Sequence, residues 1–355
     1  MTVERAIDEC LRARAARRAL PYRVATTEEV AAALERWMRE LYGTHARVEH
    51  LVRAPGGASK ENFFFDLALP DGPQSLLLRL DPGESIVETH RLREFQILRA
   101  VAGALPAPRA VAVDAEGARL GRPSLVMAKV AGRPQPELGS RTSGVGIAYE
   151  PRLREPLARD FVDALVRLHA IDWSTRELSA FDVPHAATTE AAAWSLAWWE
   201  RVYREDRVED HPVVVFAAAW LRDHLPTADR IALVHGDYRS GNFLYDDSGR
   251  ITAILDWELA HLGDPHEDLG WVVNDLFAVR DPSGDATTAA SQPASLPSYR
   301  ELRDDNVRRK ERVADLVRGS LRQSNDAKLL RAFDALVRDQ LERERRWTNP
   351  KRPAK

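Results

Sequence analysis

The feature that most constrains this chain is the stretch Leu-Val-His-Gly-Asp-Tyr-Arg-Ser-Gly-Asn-Phe-Leu-Tyr at 233–245, with Asp256 eleven residues further on. The apolar run Ile231–Val234 predicts a strand that stops just before His235-Gly236-Asp237. Loops at strand ends are where a rigid scaffold positions reactive groups. Gly236 permits a tight turn there. Phe243–Tyr245 and Ile251–Leu255 then predict a hairpin around Asp246-Asp-Ser-Gly249, which delivers Asp256 beside the loop. One amide and two carboxylates are thereby brought to one place.

Phosphoryl transfer from a nucleotide needs such a set. Asp237 is the candidate catalytic base that orients an attacking hydroxyl, and Arg239 a candidate to neutralise phosphate charge. Asn242 and Asp256 are the candidate ligands of Mg2+. Asp256 follows an apolar strand, and a carboxylate at the lip of a core needs a partner. Magnesium takes few protein oxygens besides substrate phosphates, which suits this pair. Glu258, Asp264 and Asp268 read as structural, with a turn over Leu262–Pro265 and Asp268 capping or bracing the catalytic loop. The competing readings are an ordinary Gly/Asp/Ser turn and a metal-dependent hydrolase built on His235, Asp237, Asp256, His261 and Asp264. The second lacks a metal-helix spacing such as H-E-x-x-H.

Upstream, residues 26–42 read as a helix capped by Thr27, with Val30, Leu34, Trp37 and Leu41 on one face. The period then changes to two over 48–53, 63–69 and 75–80, with a tight turn at Asp71-Gly72. A helix over 85–101 with Ile86, Leu92, Phe95 and Leu98 as its apolar stripe is followed by strands at 110–113 and 124–130. These five strands predict a small antiparallel sheet carrying one helix. The Gly-rich run 54–62 contains Gly57 and Ser59 and could bring backbone N–H groups to phosphates. It is no Walker A loop, and a plain hairpin turn fits it equally. Arg79 ends the third strand and Glu94 lies on the next helix, the places of the kinase strand cation and its helix carboxylate.

Downstream of a Gly/Ser/Pro-rich connection at 134–151 the chain turns mainly helical. Helices are expected over about 157–168, 188–207, 212–224 and 266–278. Trp194, Trp198 and Trp199 read as helix core rather than a pocket wall, and His169, His261 and His266 as local hydrogen-bonding residues. Residues 281–297 have little to bury, and 298–347 look like two amphipathic helices.

Net charge is −3, which does not suggest a nucleic-acid partner, although 298–355 hold 17 Lys and Arg against 10 Asp and Glu. Cys10 is the only cysteine, so neither an internal disulfide nor a multi-thiolate zinc site is possible. No apolar run approaches the ~20 residues of a membrane span, so no membrane partner is expected. Glu4, Asp8 and Glu9 argue against a transit peptide, and a cytoplasmic protein is expected.

Taken together, these residues resemble the aminoglycoside phosphotransferase-like kinases. The likeness is greatest to the branch found as the kinase-like domain of long acyl-CoA dehydrogenase proteins and as free-standing bacterial phosphotransferases. It rests on Leu78-Arg79, Arg93-Glu94-Phe95, Leu105-Pro-Ala-Pro108, Gly121-Arg-Pro123, Val126-Met127, Leu168-His-Ala-Ile-Asp172, Leu233-Val-His-Gly-Asp237, Gly241-Asn242-Phe-Leu, Ile254-Leu-Asp256-Trp-Glu258, Leu262-Gly-Asp-Pro265 and Asp268-Leu, and covers roughly 25–278. It implies an α+β, two-lobed protein-kinase-like fold: a small antiparallel sheet lobe plus a larger, mainly helical lobe. ATP or GTP would lie between the lobes, with Met127, Ala128 and Val130 in a hinge against the purine. Gly57 and Ser59 match the phosphate loop, Arg79 and Glu94 the cation and its helix carboxylate, Asp237 the base, and Asn242 and Asp256 the magnesium ligands. The hinge departs from the usual Met-Glu-Phe, and beyond about 278 the family's helical continuation is not recognisable.

The division this implies is an N-terminal extension (1–25), a nucleotide-binding lobe (26–130), a lobe with catalytic loop and metal site (131–278), a linker (279–297) and a basic helical segment (298–355). The expected activity is O-phosphorylation of a small molecule such as a hydroxyacyl-CoA. The alternatives are an aminoglycoside or macrolide kinase, and a nucleotide-binding pseudokinase acting through partners.

Overall fold

The computed structural model describes residues 2–17, 25–54, 60–82, 89–134, 149–207 and 212–275, with the isolated positions 315, 318, 322, 331, 334 and 338. Gly57, Ser59, Ile86, the expected linker and nearly all of the basic segment lie outside the described residues.

Helix α1 (Arg5–Arg17) comes first, then α2 (Thr27–Tyr42). The cap of α2 is Thr26 rather than Thr27. Its hydroxyl accepts from Glu29 N while the Glu29 carboxylate accepts from Thr26 N, a reciprocal box that satisfies two otherwise orphaned donors. Val30, Leu34 and Trp37 are buried as expected, but Leu41 is 49% exposed. It sits in the last turn before Gly43 ends the helix, and Met38 joins the buried stripe instead.

Strands β1 (Arg47–Arg53), β2 (Glu61–Ala68), β3 (Gln74–Leu80), β4 (Ala110–Asp114) and β5 (Ser124–Ala128) form one antiparallel sheet, ordered β1-β2-β3-β5-β4. Alternation sorts its faces. Phe63, Phe65, Leu67, Leu76, Leu78, Leu80 and Val126 pack under α2, each such burial stabilising by about 1.5–3 kcal/mol. The same period turns Asn62 and its cross-strand partner Arg79 to the opposite face, together with Leu77, Leu125 and Met127.

That second face is covered by α3 (Arg91–Val101), which runs between β3 and β4 in sequence. The stripe expected from Leu92, Phe95 and Leu98 is only partly the buried one. Besides Ile97, Leu98, Ala100 and Val101, α3 buries Arg91, Arg93, Glu94 and Gln96. A polar face turned inward defeats any reading of the helix by hydrophobic period.

The second lobe contains α4 (Pro151–His169), α5 (Glu190–Asp206) and α6 (Pro212–Asp223). Strand β6 (Ala232–Val234) and the hairpin β7 (Phe243–Tyr245) and β8 (Ile251–Ile254) follow, then β9 (His261–Gly263) and α7 (His266–Asp275). Strand β9 pairs with β6, Leu233 opposite Leu262, in place of the turn expected over Leu262–Pro265. The turn begins only at Asp264, whose carboxylate accepts from His266 N at the start of α7. Leu157, Phe161, Leu165 and Leu168 of α4 pack with Phe243, Ile254 and Trp257, the core on which the second lobe rests. Of the α5 tryptophans, Trp198 is buried, while Trp199 stacks on it at 5.4 Å and is 39% exposed.

Candidate active site

The loop after β6 is held from beneath by one buried carboxylate. Asp268, fully buried on α7, accepts from His235 N at 2.9 Å, Gly236 N at 3.0 Å and His169 Nε2 at 2.9 Å. Burial works against its charge, but the bonds from His169 and the loop outweigh it and hold its pKa below the ordinary value. Gly236 has φ 80°, and a Cβ there would stand 2.6 Å from the Leu259 carbonyl oxygen. His235 Nδ1 accepts from Asp237 N at 3.2 Å, so Nε2 carries the proton and donates to Leu255 O at 2.9 Å. Apolar anchors fix the far end. Tyr238 stacks on Phe161 at 4.2 Å with its hydroxyl on Phe161 O, and Tyr149 donates to Ser240 O.

On this frame Asp237, Arg239 and Asn242 meet. Arg239 Nε donates to Asp237 Oδ1 and Oδ2 at 2.9 and 3.0 Å. Asn242 Nδ2 donates to Asp237 Oδ2 at 2.7 Å and to Asp237 O at 2.9 Å. With its amide N–H groups so used, Asn242 has Oδ1 left, which takes no hydrogen bond among the described residues. Asn242 O accepts from Leu255 N at 2.8 Å, which ties the loop to the residue before Asp256.

Asp256 has φ 62° and ψ 52°, a left-handed conformation for a residue with a side chain, which costs on the order of 1–3 kcal/mol. Its Oδ1 accepts from Arg79 Nη2 at 2.9 Å, while Oδ2 takes no hydrogen bond among the described residues. Two oxygens, Asn242 Oδ1 and Asp256 Oδ2, are therefore available on neighbouring segments. That donor set fits a hard divalent cation completed by phosphate and water oxygens.

Arg79 links the two lobes. Nη1 donates to Glu94 Oε1 at 2.6 Å, and Nη2 also reaches Glu258 Oε2 at 3.2 Å. Burial disfavours its charge, but Glu94, Asp256 and Glu258 together push its pKa above the ordinary value. For Asp256 burial is likewise outweighed, by Arg79, and its pKa is lowered. Glu258 goes the other way, raised by burial and by neighbouring Asp256.

Three further charged residues belong to this cluster and were missed from sequence. Arg91 donates Nε to Asp81 Oδ1 at 2.7 Å and Nη1 to Glu94 Oε2. Lys60 Nζ lies 3.5 Å from Asp81 Oδ1 and 3.8 Å from Glu258 Oε2. The signal was present in the strand parity. Asn62 faces Arg79 across β2 and β3, so Lys60 and Asp81, two residues outward, share that face.

Among the hinge candidates, Met127 puts its side chain into the core. The N–H groups of Ala128 and Lys129 are taken by Arg109 O and Ser75 O, whereas Val130 N–H has no partner among the described residues. Gly57 and Ser59 lie outside the described residues. Among the described residues no group of three or more His, Cys, Asp or Glu side chains is arranged to hold a metal, which leaves the hydrolase set without a centre. Among them, too, no helix is long and apolar enough to cross a membrane.

The phosphotransferase enzyme family model matches residues 50–304. Mouse acyl-CoA dehydrogenase family member 10 is 28% identical over 287 residues, covering 78% of this chain and 24% of that protein. Human acyl-CoA dehydrogenase family member 11 is 26% identical over 251 residues, covering 69% of this chain and 30% of that protein. The chain thus spans less than a third of the length of these relatives. A Ralstonia eutropha JMP134 structure assigned to the aminoglycoside phosphotransferases has a TM-score of 0.53 at 22% identity, over 88% of this chain and 96% of that one. Aminoglycoside phosphotransferase APH(4)-Ia with AMP-PNP and hygromycin B bound has a TM-score of 0.50 at 19% identity, over 88% and 90%. At such identities the likeness is one of fold, and the fold is the expected α+β, kinase-like one.

Proposed function

Because the chain belongs to the phosphotransferase enzyme family, we propose that it is an ATP- or GTP-dependent O-phosphotransferase whose chemistry is carried by Asp237, Asn242, Asp256 and Arg79. The observation that carries this reading is the convergence on one cleft of the Asp237–Asn242 pair, the free oxygen of Asp256 and the Arg79–Glu94 pair from the opposite lobe.

Asp237 accepts a hydrogen bond from the acceptor hydroxyl, aims its oxygen at the γ-phosphorus and takes the proton as the O–P bond forms, while the bond to the β,γ-bridging oxygen breaks and the nucleoside diphosphate leaves. Asn242 holds the Asp237 carboxylate by Nδ2 in one orientation. Asn242 Oδ1 and Asp256 would hold Mg2+, which when bound neutralises phosphate charge. Arg79, its position fixed by Glu94, steadies the α- and β-phosphates. Arg239 lies on Asp237 and is placed to swing its guanidinium to phosphate when the hydroxyl takes over that carboxylate. Val130 N–H would read the purine edge. Positioning and electrostatics supply most of the rate enhancement in such reactions.

The acceptor we favour is a hydroxyacyl-CoA or a related metabolite, since the curated relatives are named as acyl-CoA dehydrogenase family members. An aminoglycoside or macrolide is the second reading, favoured by the fold likeness to kinases of those compounds. A cytoplasmic location is proposed with it. The test is consumption of magnesium–ATP and magnesium–GTP against hydroxyacyl-CoAs, aminoglycosides and macrolides, with mass spectrometry of products. A gain of one phosphate by a hydroxyacyl-CoA supports the first reading, and phosphorylation of antibiotics alone the second. Neither nucleotide binding nor turnover would sink both.

A further inference from the structure

Helix α1 lies outside the residues matched by the family model, yet it is built into the joint behind α3. Glu4, whose carbonyl accepts the first helical bond from Asp8 N, is 7% exposed. Its carboxylate is gripped by both terminal nitrogens of Arg93, Nη2 standing 3.0 Å from Oε2, and Oε1 also accepts from Asp182 N at 3.1 Å. Arg93 is 3% exposed, donates to Ala180 O and lies 4.1 Å over the Phe181 ring. One turn along α3, Gln96 exchanges hydrogen bonds with Ser179 and Ala180. On its other face α1 packs Ile7 and Leu11 against Trp198, and Leu259, the residue after Glu258, joins that cluster.

Arg93 and Glu94 are consecutive on α3 and point about 100° apart around its axis. Glu94 is pinned to Arg79 of the sheet, and Arg93 to Glu4 at the head of α1. Both can be satisfied in only one rotation of α3. A buried ion pair adds little stability over an apolar pair of the same shape, so its use here points to orientation. The exposed α1 pairs, such as Arg5 with Glu9, contribute far less.

We propose that Glu4 is a positioning residue of the nucleotide site. It makes α1 an intramolecular brace that, through Arg93, sets α3 so that Glu94 meets Arg79. This rests on the nucleotide reading given above.

The test uses the full chain and magnesium–ATP, with calorimetric Kd, KM and kcat measured beside the melting temperature of the free protein. Glu4→Gln is expected to raise Kd and KM for the nucleotide about tenfold. Because that variant leaves Arg93 charged and alone, Glu4→Ala/Arg93→Met, which removes both charges, is measured with it. The double variant should melt near the wild type yet keep the weakened nucleotide affinity. Recovery of Kd to within twofold of wild type in the double variant, or an unchanged Kd in both variants, overturns the role of Glu4. Failure of the wild type itself to bind magnesium–ATP or magnesium–GTP overturns the nucleotide reading, and this proposal with it.

Discussion

Arg79 Nη2 donates to Asp256 Oδ1 at 2.9 Å, so a strand of the sheet lobe and the turn after a hairpin of the helical lobe share one charge pair across the cleft. The same guanidinium is claimed by Glu94 and Glu258. A single cation thereby registers α3, the sheet and the candidate metal ligand against one another. The carboxylates of this cluster are paired from within, so a nucleotide with its cation, as proposed, would exchange partners with it.

Replacing Arg79 by Met should therefore destabilise the fold. It removes the cation bonded to Asp256 and one of the two bonded to Glu94, so stability should fall by about 3–5 kcal/mol, the usual cost of breaking a buried ion pair from one side. Arg79→Lys restores the charge but cannot reach Glu94, Asp256 and Glu258 together, because it lacks the planar fork. It should fold well and show a nucleotide KM raised about tenfold. Urea melts and steady-state kinetics on both variants check this, and an Arg79→Met protein as stable as wild type would refute the account.

Asp237→Asn keeps the shape of the side chain. It should leave the melting temperature and nucleotide Kd close to wild type while lowering kcat by about 10²–10⁴-fold, the range for losing a general base. Near wild-type phosphorylation of a true acceptor would remove Asp237 from that role.

Asp256→Asn acts on a different quantity. The variant keeps an oxygen but loses the charge that a hard cation favours. The magnesium concentration for half-maximal nucleotide binding should rise at least about tenfold, with kcat at saturating magnesium less affected. A magnesium titration that superimposes on wild type would exclude Asp256 as a ligand.

How much of this was legible in the sequence follows from range. The strand, the Gly236 turn, the Asn242 amide and the Asp256 hairpin lie within one short stretch, and their residue types dictate the local backbone directly. Strand parity puts Lys60 and Asp81 on the Arg79 face, but their pairing with each other and with Arg91 was not legible, because a charged residue reads as surface until the tertiary fold supplies its partners. The inward face of α3 was misread for that reason, its buried Arg91, Arg93 and Gln96 having no apolar signature. Strand β9 escaped because three residues carry no period of their own and pair only with the distant β6.

Gly236→Ala tests the loop backbone alone. The residue has φ 80°, and an added Cβ would meet a main-chain carbonyl at 2.6 Å, so the loop must shift rather than a side chain. We expect a loss of at least about 2 kcal/mol and a fall in kcat larger than the change in nucleotide Kd, because Asp237 is the next residue. Wild-type stability and kcat would show that the turn tolerates the movement.

Asp268→Asn tests what holds that loop in place, and pH gives the sign. The folded pKa of Asp268 is depressed, so its stabilisation is fully present above the unfolded value of about 3.9 and is lost as pH falls through the folded one. At pH 7 the variant should be less stable by about 3 kcal/mol, since it keeps the shape but loses the charge that accepts from His169, His235 N and Gly236 N. The gap should begin to narrow as pH drops below about 4, where the carboxylate of the unfolded chain takes up a proton while the folded one stays charged. Urea midpoints at pH 7, 5 and 3.5 read this directly. A gap that stays constant over that range would mean that Asp268 braces the loop by shape alone.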